Sequence, residues 1–360
     1  MRTRWPADIA DGRSGPLLPQ TVPDRPSRNV SGTLRCDTSS DFGVGDASQR
    51  IHGAVIAAVV DLVDVCRQNA PGTAGRMRPP TVQRLPEAVA AEESEVGELI
   101  FIGTATVLVR YGGFTFLTDP NFLHQGEHAR LGWGLRSKRV TEPAMEIDDL
   151  PPLDFIVLSH HHGDHFDDIA AERLPKGVPI VTEPHAARKL RRQGFTNPIA
   201  LETWSSHQFQ RQDVSVTITA TPGKHAPQPL GALLPPVMGS IVEFAQNDEA
   251  RFRIYITGDT LLHDRLAEIP RHYPDIDLCL IHLGGTRIAG VLLTMNAEQG
   301  VQVLRLIAPK TAIPIHYDDY KVFKSPLAEF AAAVEHAGLR TYVVYLDRGA
   351  TYRFGVTGRN

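Results

Sequence analysis

The segment LDFIVLSHHHGDHFD, residues 153–167, is an apolar run of strand character that leads directly into His160, His162, Asp164 and His165. Strand ends are where α/β folds gather functional side chains, because the sheet fixes their position while the loops vary. In extended chain alternate residues point the same way. His160 and His162 can therefore grip one cation, while Asp164 and His165, beyond the turn at Gly163, face a second. His161, between the first two, is expected to point away. The pattern H-x-H-x-D-H thus predicts two adjacent metal positions seeded by one short turn.

Working outward, the chain from about Glu98 carries short runs rich in Val, Ile, Phe and Thr: LIFIG (99–103), TVLVRY (106–111) and FTFLTD (114–119). Gly113 and Asp119–Pro120 punctuate them, which predicts strands joined by tight turns. Further apolar runs at 153–158, 178–182, 214–220, 252–257, 276–281, 311–315 and 341–346 alternate with helical segments. This is the pattern of an α/β domain with several strands in each half. Asn296 with Gln299 forms a capping-box pattern that opens a helix running to Ile307. Ser325–Pro326 opens another, ending at Gly338.

The region before this domain reads differently. Residues 1–48 are rich in Arg, Asp, Ser, Pro and Gly without periodicity, the composition of a flexible N-terminal extension. Between Ile51 and Gln68, the residues Val55, Val59, Leu62, Val63 and Cys66 fall at helical spacing, and a Pro/Gly/Arg-rich linker follows through Pro86. The expected organisation is an extension over 1–48, a helix and linker over 49–95 packed on the main domain, and the main domain itself over 96–360.

Composition excludes several classes. A formal net charge of −4 gives no basic field for nucleic acid. Three scattered cysteines, Cys36, Cys66 and Cys279, form neither a disulfide framework nor a zinc ribbon. The N-terminus has no apolar signal-type core, and no apolar run reaches the ~20 residues that span a bilayer. The expectation is a cytoplasmic protein with no transmembrane segment and no nucleic-acid partner.

The H-x-H-x-D-H turn resembles the signature of the metallo-β-lactamase superfamily, and over about residues 98–355 the chain carries similar versions of that family's other motifs in the same order. The resemblance implies a four-layer αββα sandwich. It places Asp119 of FLTDP as the residue that orients the metal loop, His225 of TPGKHA as the third-motif histidine, Asp259 of YITGDT as a bridging aspartate and His316 of AIPIHY as the fifth-motif histidine. The implied ligand set is His160, His162 and His225 for one ion and Asp164, His165 and His316 for the other, with Asp259 between them. Five histidines and two aspartates suit zinc, with manganese or iron as alternatives. The stretch from Asp119 to Asp167 and the segment LTMNAEQGVQVLRLIAPKTAIPIHYDDY are similar to the group that includes N-acyl phosphatidylethanolamine phospholipase D and L-ascorbate-6-phosphate lactonase.

The expected activity is hydrolysis by a metal-bridging hydroxide, because two ions sharing a water lower its pKa from ~15.7 to near 7. Asp164 and Asp259 are expected to orient it, and His282, at the end of IDLCLI, to protonate a leaving group or contact a phosphate, with a supporting role behind the ligands as its alternative. A phosphodiester or phosphate-bearing substrate, as for a phospholipase D, is the first reading. A lactone, carboxylic ester or β-lactam is the second. Arg130, Arg136, Lys138 and Arg139 are expected to attract an anionic or lipid-like substrate, and residues 229–238, PLGALLPPVM, to cover an apolar part of it.

Overall fold

In a computed structural model of the chain, the described residues are 77, 79–86 and 96–355, apart from 133, 229, 230, 232, 233, 289 and 340–342. The expected extension over 1–48 and the helix read between Ile51 and Gln68 lie outside them. In chain order the strands are β1 (Thr81–Arg84), β2 (Val96–Gly103), β3 (Thr106–Tyr111), β4 (Phe114–Thr118), β5 (His128–Gly132), β6 (Leu135–Lys138), β7 (Phe155–Val157), β8 (Ile180–Thr182), β9 (Pro198–Ala200), β10 (Ser206–Arg211), β11 (Val214–Thr221), β12 (Gly239–Gln246), β13 (Glu249–Ile256), β14 (Leu278–His282), β15 (Arg287–Ile288), β16 (Val291–Leu292), β17 (Thr311–Ile315) and β18 (Thr351–Gly355). The α-helices are α1 (Asp168–Arg173), α2 (Pro184–Arg192), α3 (Ile269–His272), α4 (Ala297–Ile307) and α5 (Leu327–His336).

Two seven-stranded sheets form, in the orders β18-β2-β3-β4-β7-β8-β9 and β1-β10-β11-β12-β13-β14-β17. The period-two alternation of the strands decides how they stack. Phe116, Phe155 and Val157 enter the core shared by the two sheets, whereas their neighbours Leu117, Ile156 and Leu158 face the opposite way. Phe155 stacks on Phe116 of its own sheet and on Phe209 of the other, with ring centroids 4.9 and 4.8 Å apart. The outer face of the first sheet is covered by Ala170 of α1 and by Ala186 and Leu190 of α2. On the second sheet α4 and α5 bring Val303, Leu304, Ile307, Phe330 and Val334 into the core, with Leu283, just past β14, and Phe330 packed against Gly300 of α4. The result is the αββα layering that the resemblance implies. β14 is buried along its whole length, as a parallel strand covered on both faces must be.

Several local expectations change. Thr81–Arg84, read as linker, pairs in parallel with β10 as an edge strand. β10, with the polar sequence SHQFQR, gives no apolar run to recognise. Of the run 341–346, the described part makes a single bridge, Val343 to Ala312. Asn296 does cap α4, its Oδ1 accepting Gln299 N–H at 3.1 Å. Gln299 does not return the bond that would close a capping box. Its Oε1 instead accepts the N–H of Leu262 at 3.0 Å, tying the helix to the loop that follows Asp259. α5 ends as expected, with Gly338 at φ +72° and Leu339 N–H closing on Val334 O.

Candidate metal centre

The functional side chains all leave the C-terminal ends of strands: Asp119 after β4, His160 after β7, His225 after β11, Asp259 after β13, His282 at the end of β14 and His316 after β17. Two of them, Asp119 and His316, hold left-handed backbone, with φ of +35° and +61°. Such conformations are costly for residues other than glycine and concentrate where structure over-determines a functional position. Two glycines make the loops fit. A Cβ on Gly163 would lie 2.6 Å from Arg130 N, because the β5–β6 hairpin docks on the metal loop through the bond from Gly163 N–H to Arg130 O. Gly258, at φ +62°, would carry a Cβ 2.8 Å from Met238 O.

The seven expected ligands form two groups, His160 with His162 and His225, and Asp164 with His165, Asp259 and His316, the ligand atoms of each lying within 4.8 Å of one another. None of the seven is more than 8 % exposed. In the first group His162 Nδ1 lies 2.9 Å from His160 Nε2 and 3.4 Å from His225 Nε2. In the second, His165 Nε2 is 3.1 Å from Asp259 Oδ2, and His316 Nε2 is 3.6 Å from Asp164 Oδ2. His165 Nε2, His316 Nε2, Asp164 Oδ1 and Asp259 Oδ1 are buried without a hydrogen-bond partner. Orphaned lone pairs at this depth are costly, and converging nitrogens and carboxylate oxygens are what divalent cations satisfy. The donor set therefore fits metal.

The far nitrogen of most of these rings is fixed, which sets the ligating one. His225 Nδ1 donates to Leu293 O at 3.1 Å, and His316 Nδ1 donates to Leu283 O at 3.2 Å. His160 Nδ1 lies 3.1 Å from Ser159 Oγ, and His165 Nδ1 lies 3.2 Å from Asp119 Oδ2. Electrostatics agrees. Burial pushes His160 well below the ordinary histidine range and His162 down to about 3, leaving neutral imidazoles that can ligate. Burial would raise Asp259, but the His316 and His165 charges beside it hold it well below the carboxylate range.

Asp119 stands behind this shell, as expected. Its Oδ1 accepts Ser159 N–H at 2.7 Å, and its Oδ2 accepts from His165 and, at 3.3 Å, from His282 Nε2. Burial alone would raise its pKa, yet the His165 charge and the bonds from both imidazoles bring it to about 2. His282 departs from the expectation of a proton donor to substrate. It is fully buried, its Nε2 proton goes to Asp119, and its Nδ1 lies 3.2 Å from Thr257 Oγ1. Both nitrogens are engaged, and the ring is behind the ligands rather than in the cleft, the alternative that the sequence left open.

A cleft of about 630 Å³ opens over the centre, lined by His162, Asp164, His225 and Asp259 among the ligands. The cationic insert is corrected in part. Arg130 lines the cleft and pairs with Asp168 at 3.3 Å. Arg136 and Lys138 are exposed and do not line it. Arg139 is fully buried, bonded to Asn121 O and Thr141 O at 3.2 Å and 3.7 Å from Asp319. Its role is structural, because β6 turns it inward. Of residues 229–238, Leu234, Pro235 and Pro236 line the cleft as expected. His161 is in neither metal group; it lines the cleft wall, bonded to Gln193 at 2.9 Å. The reading along the sequence missed that wall, His185, Lys189 and Gln193 of the α2 segment, although their i, i+4, i+8 spacing places them on one helical face. It also missed Asn121, whose amide donates to Gly163 O at 2.9 Å and holds the metal loop.

Comparison with known proteins agrees with this geometry. Residues 116–317 match the family described as "Beta-lactamase superfamily domain". A "UPF0173 metal-dependent hydrolase" of Carboxydothermus hydrogenoformans is 29% identical over 238 residues, covering 65% of this chain and 90% of the relative. The N-acyl-phosphatidylethanolamine-hydrolyzing phospholipase D 1 of Caenorhabditis elegans is 29% identical over 231 residues, covering 61% of this chain and 63% of that enzyme. The crystal structure of an isothiocyanate hydrolase from Delia radicum gut bacteria superposes with a TM-score of 0.61 at 24% identity, over 72% of this chain and 99% of that one, which speaks to the fold. Among the described residues no helix is long and apolar enough to cross a membrane. With the family match covering more than half of the chain and a buried His/Asp cluster at its strand ends, the chain belongs to the beta-lactamase superfamily as one of its metal-dependent hydrolases.

Proposed function

We propose that the chain hydrolyses a phosphodiester or other phosphate-bearing substrate with two divalent ions, zinc in the first instance, held by His160, His162 and His225 and by Asp164, His165 and His316, with Asp259 reaching both. The observation that carries the dinuclear part is the pair of neighbouring ligand groups, whose second members keep buried, unpartnered atoms. Ions bound there would acidify a shared water and polarise the phosphoryl or carbonyl oxygen. The chain's own residues do the rest. Asp164 and Asp259 line the cleft and orient the attacking water by accepting its hydrogen bonds. Asp119, with His282 behind it, keeps the Nδ1 proton on His165 and so keeps its Nε2 free to ligate. In the hydrolysis, water oxygen bonds to phosphorus, the P–O bond to the leaving alkoxide breaks, and the alcohol departs with a proton.

The phosphodiester reading is supported by the likeness to the nematode phospholipase and by Arg130 at the cleft. A neutral lactone or ester is the second reading, favoured by the apolar wall of Leu131, Leu135, Leu234, Pro235, Pro236 and Ile288. Reconstituted protein is expected to hold close to two ions per chain by elemental analysis, and to turn over bis-p-nitrophenyl phosphate or a phospholipid faster than lactones or nitrocefin. One ion or none at saturation, in folded protein, defeats the dinuclear reading. Turnover confined to lactones or esters replaces the phosphodiester reading with the second.

A further inference from the structure

The expected anion-binding insert contributes only one of its four cations to the cleft, and that one is already paired at the surface: Arg130 lies 3.3 Å from Asp168. The opposite situation holds on α2. Glu183–Pro184 starts this helix with the Glu183 carboxylate accepting the N–H groups of His185 and Ala186. One face of the following turns then presents His185, Lys189 and Gln193 to the cleft, each a little over one turn, ~6 Å, from the next. Gln193 anchors this row to the metal loop through its bond with His161, the neighbour of two ligands.

Lys189 has no ion-pair partner among the described residues, and every carboxylate around the cleft is committed elsewhere. Asp164 and Asp259 belong to the ligand set. Asp167 is buried and accepts the N–H groups of Phe122, Leu123 and Ala170. Asp168 holds Arg130. Glu183 is occupied with the helix start. Lys189 is half-buried, and burial lowers its pKa while the Glu183 carboxylate only partly offsets this, the two forming no ion pair among the described residues. Beside it on the same helical face, His185 Nδ1 is buried without a hydrogen-bond partner, 3.7 Å from the Glu183 carboxylate that starts the helix. Arg188 and Arg192, on the other side of the helix, are exposed and do not line the cleft. A cation left in this state inside a substrate cleft is a place for a ligand's anion.

We infer that the α2 wall is a subsite for a second acidic group of the substrate, a carboxylate or phosphate remote from the scissile bond, with Lys189 as its cationic partner and His185 as an additional polar contact. The leucines and prolines that also line the cleft take the apolar body, so the substrate is an amphiphilic acid rather than a neutral ester. This rests on the reading of the cleft as the hydrolytic site and goes beyond it by assigning specificity to α2 instead of the cationic insert.

The test reads binding rather than turnover. Metal-loaded protein is titrated calorimetrically with straight-chain dicarboxylates from succinate to suberate and with monocarboxylates of the same lengths. One carboxylate occupies the metal end in both series, and only the dicarboxylates carry the second. The parent is expected to bind a dicarboxylate of one length about tenfold more tightly than its monocarboxylate, the scale of one charge-assisted bond. Lys189→Met should abolish that preference while leaving monocarboxylate affinity unchanged, and Lys189→Arg should retain it. Arg136→Met, outside the cleft, should leave both series as in the parent. The same series ending in a phosphonate ranks phosphate against carboxylate. The subsite is overturned if no dicarboxylate is preferred, if Lys189→Met keeps the preference, or if Arg136→Met loses it equally. Failure of the underlying metal reading looks different: monocarboxylates then bind metal-loaded and metal-free protein alike, and the subsite falls with it.

Discussion

Replacing Asp119 by Asn isolates the support behind the second of the two proposed metal positions. The change is nearly isosteric, and Asn tolerates the left-handed backbone at φ +35° as well as Asp does, so the effect is chemical rather than conformational. In the parent one carboxylate accepts three bonds: Ser159 N–H at 2.7 Å on Oδ1, and the His165 and His282 ring protons at 3.2 and 3.3 Å on Oδ2. An amide has one acceptor. If its oxygen keeps Ser159 N–H, its NH₂ meets the protonated Nδ1 of His165, and that ring must change tautomer and give up its ligating lone pair. If the amide turns round, the metal loop loses its backbone bond at Ser159. With a pKa of about 2 the parent carboxylate is an anion at any working pH, so a neutral-pH experiment compares charge with no charge. Loss of such a supporting partner weakens metal affinity by about 10–100-fold. That is about 1.4–2.8 kcal/mol. The loss should fall on the ion that uses His165, while the group His160, His162 and His225 keeps its affinity. Stepwise competition with a chromophoric chelator resolves the two ions, and circular dichroism checks the fold. Two binding steps unchanged from the parent, or equal weakening of both, would refute the assignment of Asp119 as the support of His165.

Two further substitutions test the loops around the site. Arg139→Met removes a fully buried guanidinium that bonds Asn121 and Thr141 and faces Asp319, and it should lower unfolding free energy by about 3 kcal/mol, the lower end for a broken buried pair, since Asp319 keeps Arg348 at 3.0 Å and Thr104 N–H at 2.8 Å. Denaturant melts measure this, and a variant as stable as the parent that loses affinity only for anionic substrates would restore Arg139 to the cleft. Gly163→Ala drives a Cβ to 2.6 Å from Arg130 N, so either the hairpin or the metal loop must shift. We expect about 1–3 kcal/mol of destabilisation together with reduced metal content. Parent-like melting and metal content in this variant would show that the hairpin does not rest on the loop.

The ligand types, their order and their placement just past apolar strands were legible along the chain, because metal coordination demands His and Asp at short spacings and because strand alternation is a local property. The alternation of apolar runs with helical segments likewise made the α/β class legible, while the four-layer stacking was implied by the family resemblance. Polar edge strands were not legible: Thr81–Arg84 and Ser206–Arg211 are held in place by their pairing to each other and to β11, which no pattern within them announces. Direction and partnership of side chains were also out of reach. Asp119 and His282 meet across 163 positions, and Thr104 and Asp319 across 215. Whether a basic residue such as Arg139 reaches solvent or is buried against Asp319 depends on which face of its strand the sheet covers. The residue types capable of the chemistry were therefore set by the sequence, while tertiary packing alone decided which nitrogen is left free to ligate, that His282 sits behind the ligand groups, and that Lys189 of α2 lines the cleft without an ion-pair partner among the described residues, since each of these depends on atoms brought together from distant segments.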